Sequence, residues 1–167
     1  MLKHKGQRVG VFVDVQNMYY SAKYLYKSRV NFKEILEEAV KERVLIRALA
    51  YVIKADFKHE KNFFDALESI GFDVKSKDLQ IFYGGHKKGD WDIGIAMDMI
   101  ELAPKLDALV LVSGDGDFVP LVHHLQRAMG CRVEVIAFGR SASSNLKEVA
   151  DDFIDLSKDT GKYLIRG

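Results

Sequence analysis

A chain of 167 residues, 48% of them hydrophobic, can bury one sizeable core and is too short for two ordinary domains. Its 25 lysines and arginines against 24 aspartates and glutamates leave a formal charge of +1, so no global field draws it to polyanions and any such contact must come from local basic groups. A single cysteine excludes an internal disulfide, and no apolar run reaches membrane-spanning length.

Lys3, His4, Lys5 and Arg8 precede only a short apolar stretch that Asp14 interrupts, too short for a signal-peptide core. With Cys131 reading as a small packing residue, the expected setting is a reducing cytoplasm.

Val9 to Val15 is a β-branched run that reads as a buried strand. Helical spacing follows over Tyr19 to Lys27 and over Phe32 to Lys41, the second opened by Asn31 as N-cap. Leu45 to Ile53 reads as the second strand. Lys58 to Ile70 is an amphipathic helix with Phe63, Phe64, Leu67 and Ile70 on one face and Gly71 as its stop. Val74 and Leu79 to Tyr83 give a third strand region, and Gly84 to Gly89 a flexible basic loop.

Trp91 to Leu102 returns to helical spacing and ends at Pro104. Ala108 to Val112 reads as a central parallel strand, turning through Ser113 to Gly116 into a helix that ends near Met129 and Gly130. Arg132 to Phe138 is the fifth strand. Asn145 to Ala150 reads as a short helix and Phe153 to Leu156 as an edge strand. Strands alternating with helices predict an α/β class: a three-layer sandwich with a mainly parallel central sheet. One domain is expected over 1–167, with its core at about 8–156 and a tail over 157–167.

In open parallel sheets, ligands bind beyond the carboxyl ends of the strands. Asp14 and Asn17 close the first strand, Asp115 and Asp117 the fourth, and Asp92 lies in the first turn of the helix entered from the basic loop. Two carboxylates about 4 Å apart repel by roughly 4 kcal/mol at an effective dielectric near 20, so a site gathering several calls for a cation. All-oxygen ligation suits Mg²⁺ or Mn²⁺, and the adjacent His123 and His124 lack zinc-helix spacing. Each acid also has a structural reading, Asp14, Asp115 and Asp117 as caps or turn residues and Asp92 as a first-turn acid. The joint placement favours a site. Asp98, six residues beyond Asp92, is rotated by about 240° and meets the crevice only if Asp92 precedes the regular helix. Asp151, Asp152 and Asp155 read as a surface patch.

Three stretches in order, Phe12-Val13-Asp14-Val15-Gln16-Asn17, Lys88-Gly89-Asp90-Trp91-Asp92 running to Asp98, and Ser113-Gly114-Asp115-Gly116-Asp117-Phe118-Val119-Pro120, resemble the NYN domain family, in particular its LabA-like branch within the PIN-like nuclease superfamily. The resemblance implies a PIN-like fold and an Mg²⁺- or Mn²⁺-dependent ribonuclease. Asp14, Asp92, Asp115 and Asp117 would hold the metal, Asn17 would assist, Asp98 would be a further acid, and Ser113 would position the loop or a phosphate. Asp90 stands where relatives often carry an apolar or small residue, which leaves Asp90 as the alternative to Asp92.

The expected partner is RNA, single-stranded or structured, with Lys87 and Lys88 on its backbone and Trp91 stacking on a base; Lys54, Lys58, Arg140 and Tyr83 are further candidates. No membrane contact is expected, and a homodimer is left open. The alternative is an inactive RNA-binding or protein-interaction module of the same fold. A dinucleotide-binding domain is disfavoured because Asp14-Val15-Gln16-Asn17 replaces the glycine-rich loop, and an aspartyl phosphatase because Gln16 stands where its second acid belongs.

Overall fold

The computed structural model describes residues 2–54, 60–78, 80–81, 87–88 and 90–166, with backbone only at 80, 81, 87 and 88. Six strands form the central sheet: β1 (Arg8–Asp14), β3 (Val44–Ile53), β4 (Asp73–Lys77), β7 (Ala108–Val112), β8 (Arg132–Ala137) and β9 (Asp152–Asp155). Their order is β4-β3-β1-β7-β8-β9, and every neighbouring pair is parallel. The chain winds outward from β1 in one direction through β3 and β4, then in the other through β7, β8 and β9. The reversal lies between β1 and β7, and a crevice opens at the carboxyl ends of such a pair.

The period-two alternation of the strands divides the core. Val9, Val11 and Val13 of β1, with Ala50 and Val52 of β3 and Val110 and Val112 of β7, are buried towards α1 (Val15–Tyr26), α2 (Phe32–Val40) and α3 (Glu60–Ile70). Phe12, Leu49, Tyr51, Leu109 and Leu111 are buried on the other face, against α4 (Asp92–Leu102), α5 (Val119–Arg127) and α6 (Ser144–Val149). Strands covered on both faces explain the nearly unbroken apolar runs of β1 and β7.

Several boundaries differ from the sequence reading, each for a local reason. Val15 opens α1 and is not the last residue of a strand, because the Asp14 side chain accepts from the Asn17 N–H and caps the helix there. The third strand region divides: β4 joins the sheet as an edge strand, whereas β5 (Gln80–Ile81) leaves it and pairs antiparallel with β6 (Lys87–Lys88). The expected basic loop therefore carries strand structure at Lys87 and Lys88; Leu79, residues 82–86 and Gly89 lie outside the described residues. Pro104 sits inside a 3₁₀ turn, Ala103–Lys105, that extends α4. A second such turn, Gly116–Phe118, separates the Ser113 loop from α5.

The C-terminal residues are not a detached tail. After a 3₁₀ turn at Leu156–Lys158, α7 (Thr160–Tyr163) leads into β10 (Leu164–Ile165), which pairs antiparallel with β2 (Arg29–Val30). Tyr163 and Leu164 are buried in the α1–α2 side of the core. The acids before them are structural as well. Asp151 accepts from the Val133 N–H at 2.8 Å, and Asp155 from the Gly139 and Ser157 N–H groups at 2.7 and 2.8 Å.

At the opposite end of the sheet from the crevice lies a buried polar network. Glu134 of β8 is fully buried and takes two hydrogen bonds from Arg43, at 2.8 and 2.9 Å, and one from Arg132 at 2.8 Å. Arg43 also donates to Gln7 and to the Ala39 and Val40 carbonyls, which ties the end of α2 to β1 and β8. No helix among the described residues is long and apolar enough to cross a membrane.

Candidate active site

The carboxyl ends of β1 and β7 are joined by side chains. Asp14, the last residue of β1 and 7% exposed, accepts from the Asn17 N–H through Oδ1 at 3.3 Å and from the Ser113 hydroxyl through Oδ2 at 3.2 Å. The fully buried Ser113 Oγ also accepts from the Asp115 N–H at 3.2 Å. Asn17 Oδ1 in turn accepts from the Gly114 N–H at 3.0 Å. A Cβ at Gly114 would lie 3.0 Å from the Ala142 Cα, so only glycine lets this loop pass the segment before α6 at that separation.

The remaining acids enter from the two loops around this seam. Asp115 caps the following 3₁₀ turn, its Oδ1 accepting from the Asp117 N–H at 2.9 Å. Asp92 is the first residue of α4, and its N–H is held by Asp90 Oδ1 at 3.2 Å. Asp92, Asp115 and Asp117 each offer a carboxylate oxygen within 4.8 Å of the others. Asp14 lies beside this set, sharing with Asp90, Asp92 and Asp115 the wall of a cavity of about 360 Å³. Among the described residues, no lysine or arginine lines it.

Burial, with the neighbouring charges, displaces the titration of Asp14 and Asp92. Burial pushes the Asp14 carboxyl up to about 6, against the opposing hydrogen bonds from Asn17 and Ser113 and with added repulsion from Asp115 and Asp90. The Asp92 carboxyl rises to about 7, through burial first and then through its repulsion by and hydrogen bond with Asp115. A half-buried Asp92 carboxyl titrating near neutrality beside a second acid is short of positive charge, and the oxygens match the donors that Mg²⁺ and Mn²⁺ prefer. The donor set fits such an ion.

The sign of the pH dependence follows. Carboxyls whose folded pKa is raised bind more protons in the folded chain than in the unfolded one between about pH 4 and 7, so metal-free stability should fall as pH rises through that window. Thermal melts in chelator should give a higher midpoint at pH 5 than at pH 8, and saturating Mn²⁺ should remove most of the difference. A metal-free midpoint rising steadily from pH 5 to pH 8 would contradict the assignment.

The other expected site residues fall elsewhere. Asp98 accepts from the Tyr51 hydroxyl at 2.8 Å and from Lys75 Nζ at 2.7 Å. Because Asp92 is already inside the regular helix, Asp98 faces β3 and β4 and belongs to a separate ion pair. Trp91 is not a free stacking surface. Its Nε1 donates to the Val52 carbonyl at 3.0 Å, its ring packs against Tyr51 with Lys77 Nζ 4.7 Å from its centroid, and Gly94 lies beneath it.

The side chains of Lys87 and Lys88, like Lys58 and Tyr83, lie outside the described residues. Lys54 is exposed after β3, and the Arg140 guanidinium lies 5.9 Å from the Tyr26 ring centroid. Sequence reasoning overlooked α1 as a wall of the cavity. Gln16, Tyr20 and Tyr24 all line it, and their spacing of four residues from the start of the capped helix carries that signal.

A sequence profile of the NYN domain matches residues 8–157. The low amplitude and bright protein LabA of Synechococcus elongatus is 29% identical over 159 residues, covering 90% of this chain and 84% of that one. The crystal structure of a Vibrio parahaemolyticus protein of unknown function superposes with a TM-score of 0.88 at 34% identity, covering 99% of this chain and all of that one.

Proposed function

Since the chain belongs to the NYN domain family and has its PIN-like α/β fold, we propose that it is a ribonuclease that hydrolyses RNA phosphodiester bonds at the acids between β1 and β7, with Mg²⁺ or Mn²⁺ bound there. The observation that carries this reading is the meeting of Asp92, Asp115 and Asp117 beside the buried Asp14 at the sheet's reversal point. Asp14, Asp92, Asp115 and Asp117 would hold the ion, and Asp90 is close enough to assist. Bound there, a divalent ion supplies the positive charge that a phosphoryl group requires as negative charge builds on its oxygens.

The chain's own residues do the rest. Asn17 and Ser113 fix both oxygens of Asp14 and so set its direction. The Ser113 hydroxyl, buried and bonded to Asp14, is not a nucleophile, so the attacking group is water. Without metal the Asp92 carboxyl, raised to about 7 by burial and by Asp115, holds a proton up to near neutral pH and would give it up as a cation binds. Lys87 and Lys88, a few residues before Asp90 and Asp92 in the chain, would contact the RNA backbone, and the cytoplasm is the setting that suits this substrate.

Incubating the purified chain with end-labelled single-stranded and hairpin RNAs tests the reading. Cleavage is expected with Mn²⁺ or Mg²⁺ and should stop with chelator. RNA left intact at millimolar concentrations of both ions would overturn it in favour of a binding module without activity.

A further inference from the structure

We propose that single-stranded RNA leaves the acidic cavity along α1, stacking a base on Tyr24 and laying its next phosphates in a basic groove formed by Lys23, Lys27 and Arg29. This rests on the ribonuclease reading and adds to it the path of the substrate. A strand whose scissile phosphate sits among four carboxylates needs positive potential for the neighbouring phosphates, and the described lining of the acidic cavity supplies none.

Helix α1 leads to such a region. Gln16 and Asn17 stand beside the acids, and Tyr20 and Tyr24 continue the cavity wall one and two turns on, about 12 Å from Gln16 to Tyr24 along the axis. Tyr24 is 80% exposed, yet its orientation is constrained: its ring stacks on Tyr20 at 6.2 Å and 27°, and Tyr19 meets Tyr20 edge-on at 5.3 Å. Its other side borders a second cavity, of about 560 Å³, lined also by Tyr19, Lys23, Lys27, Ser28 and Arg29. The two cavities therefore share Tyr24. Among the described residues, one is lined by four carboxylates and no basic side chain, the other by three basic side chains and no carboxylate. Among the described residues, none of those three cations is ion-paired.

Helix electrostatics explain part of this pattern, since Lys23 in the last turn complements the negative end of the α1 dipole. They do not account for Arg29, which follows on β2, or for a solvent-facing tyrosine held by a stacked neighbour. An aromatic face between a cleavage site and a cationic groove is what an unpaired strand requires, because every base presents a π-face whatever its sequence.

The test measures binding of a fluorescein-labelled oligouridylate by anisotropy, in chelator and at low salt so that no cleavage occurs, together with the Mn²⁺ cleavage assay. Tyr24→Ala should weaken binding roughly 10-fold, and Tyr24→Trp should bind at least as tightly as the parent. Combining Lys23→Ala, Lys27→Ala and Arg29→Ala should lower the slope of log Kd against log salt by about 2. All four residues are exposed, so the variants should melt with the parent. A parent that binds and cleaves while these variants bind unchanged overturns the path and leaves the ribonuclease reading standing. A reduced slope with Tyr24→Ala binding like the parent marks a bare charged patch and overturns the stacking assignment. A parent that neither binds nor cleaves RNA overturns both.

Discussion

Asp115→Asn should lower RNA cleavage by roughly 100-fold or more, while leaving the metal-free fold as stable as the parent or more so. The geometry makes this substitution selective. Asparagine keeps an Oδ1 to accept from the Asp117 N–H, as Asp115 does at 2.9 Å, so the cap of the 3₁₀ turn survives. What disappears is the charge that adds to burial in raising the Asp14 and Asp92 carboxyls. Mn²⁺ should then raise the midpoint of the parent and scarcely move the mutant, because a ligand stabilises a fold only through binding its native state. Asp115→Ala separates the two roles, since it also loses the cap and should be about 1 kcal/mol less stable than Asp115→Asn with or without metal. Melting curves in chelator and in Mn²⁺ decide the matter. A destabilised Asp115→Asn protein beside a metal-insensitive parent would make the residue a structural cap only.

Glu134→Ala should have the largest effect on stability, a loss of roughly 3–5 kcal/mol, a large share of what a domain ordinarily has. It leaves the Arg43 guanidinium, almost wholly inaccessible, without its carboxylate. The companion Arg43→Met, Glu134→Leu should recover much of that loss, because two apolar side chains need no partner. Urea unfolding of the three proteins checks both statements, and a Glu134→Ala midpoint near the parent's would remove this network from the account of stability.

The same residue reverses the pH argument at the acidic end. Burial would raise the Glu134 carboxyl, yet hydrogen bonds from Arg43 and Arg132 outweigh it and hold the group below its ordinary value. Its contribution is present above the unfolded pKa and is lost as pH falls through the folded one. One end of the sheet therefore loses stability in acid, and the other, without metal, as neutrality is approached.

How far this was legible in sequence depends on whether a residue's role is local. Asp14, Asp92 and Asp115 stood out because strands and helices end at them, and chain ends of parallel strands are where ligands bind. The family motifs supplied their association. The partners of Asp98 and Trp91 were not legible, because helical rotation alone does not say which neighbour waits on that side. Tyr51, Lys75 and the Val52 carbonyl come from β3 and β4, far away in sequence. Glu134 was passed over as an acid in an apolar run, since its partner Arg43 lies 91 positions earlier. The C-terminal segment looked like a tail because the Leu164 and Ile165 strand pairs with one only two residues long, below what periodicity can register.

The seam that fixes Asp14 joins residues 99 positions apart. During synthesis at about 5–20 residues per second, roughly 5–20 s separate the appearance of Asp14 from that of Ser113, and until β7 leaves the ribosome β1 has only one of its two neighbours. Until then a nascent chain holds Asp14 and Asp92 without Asp115 and Asp117, and the proposed cation site is incomplete. On the proposed ribonuclease reading, this connectivity delays the activity until most of the domain has been made.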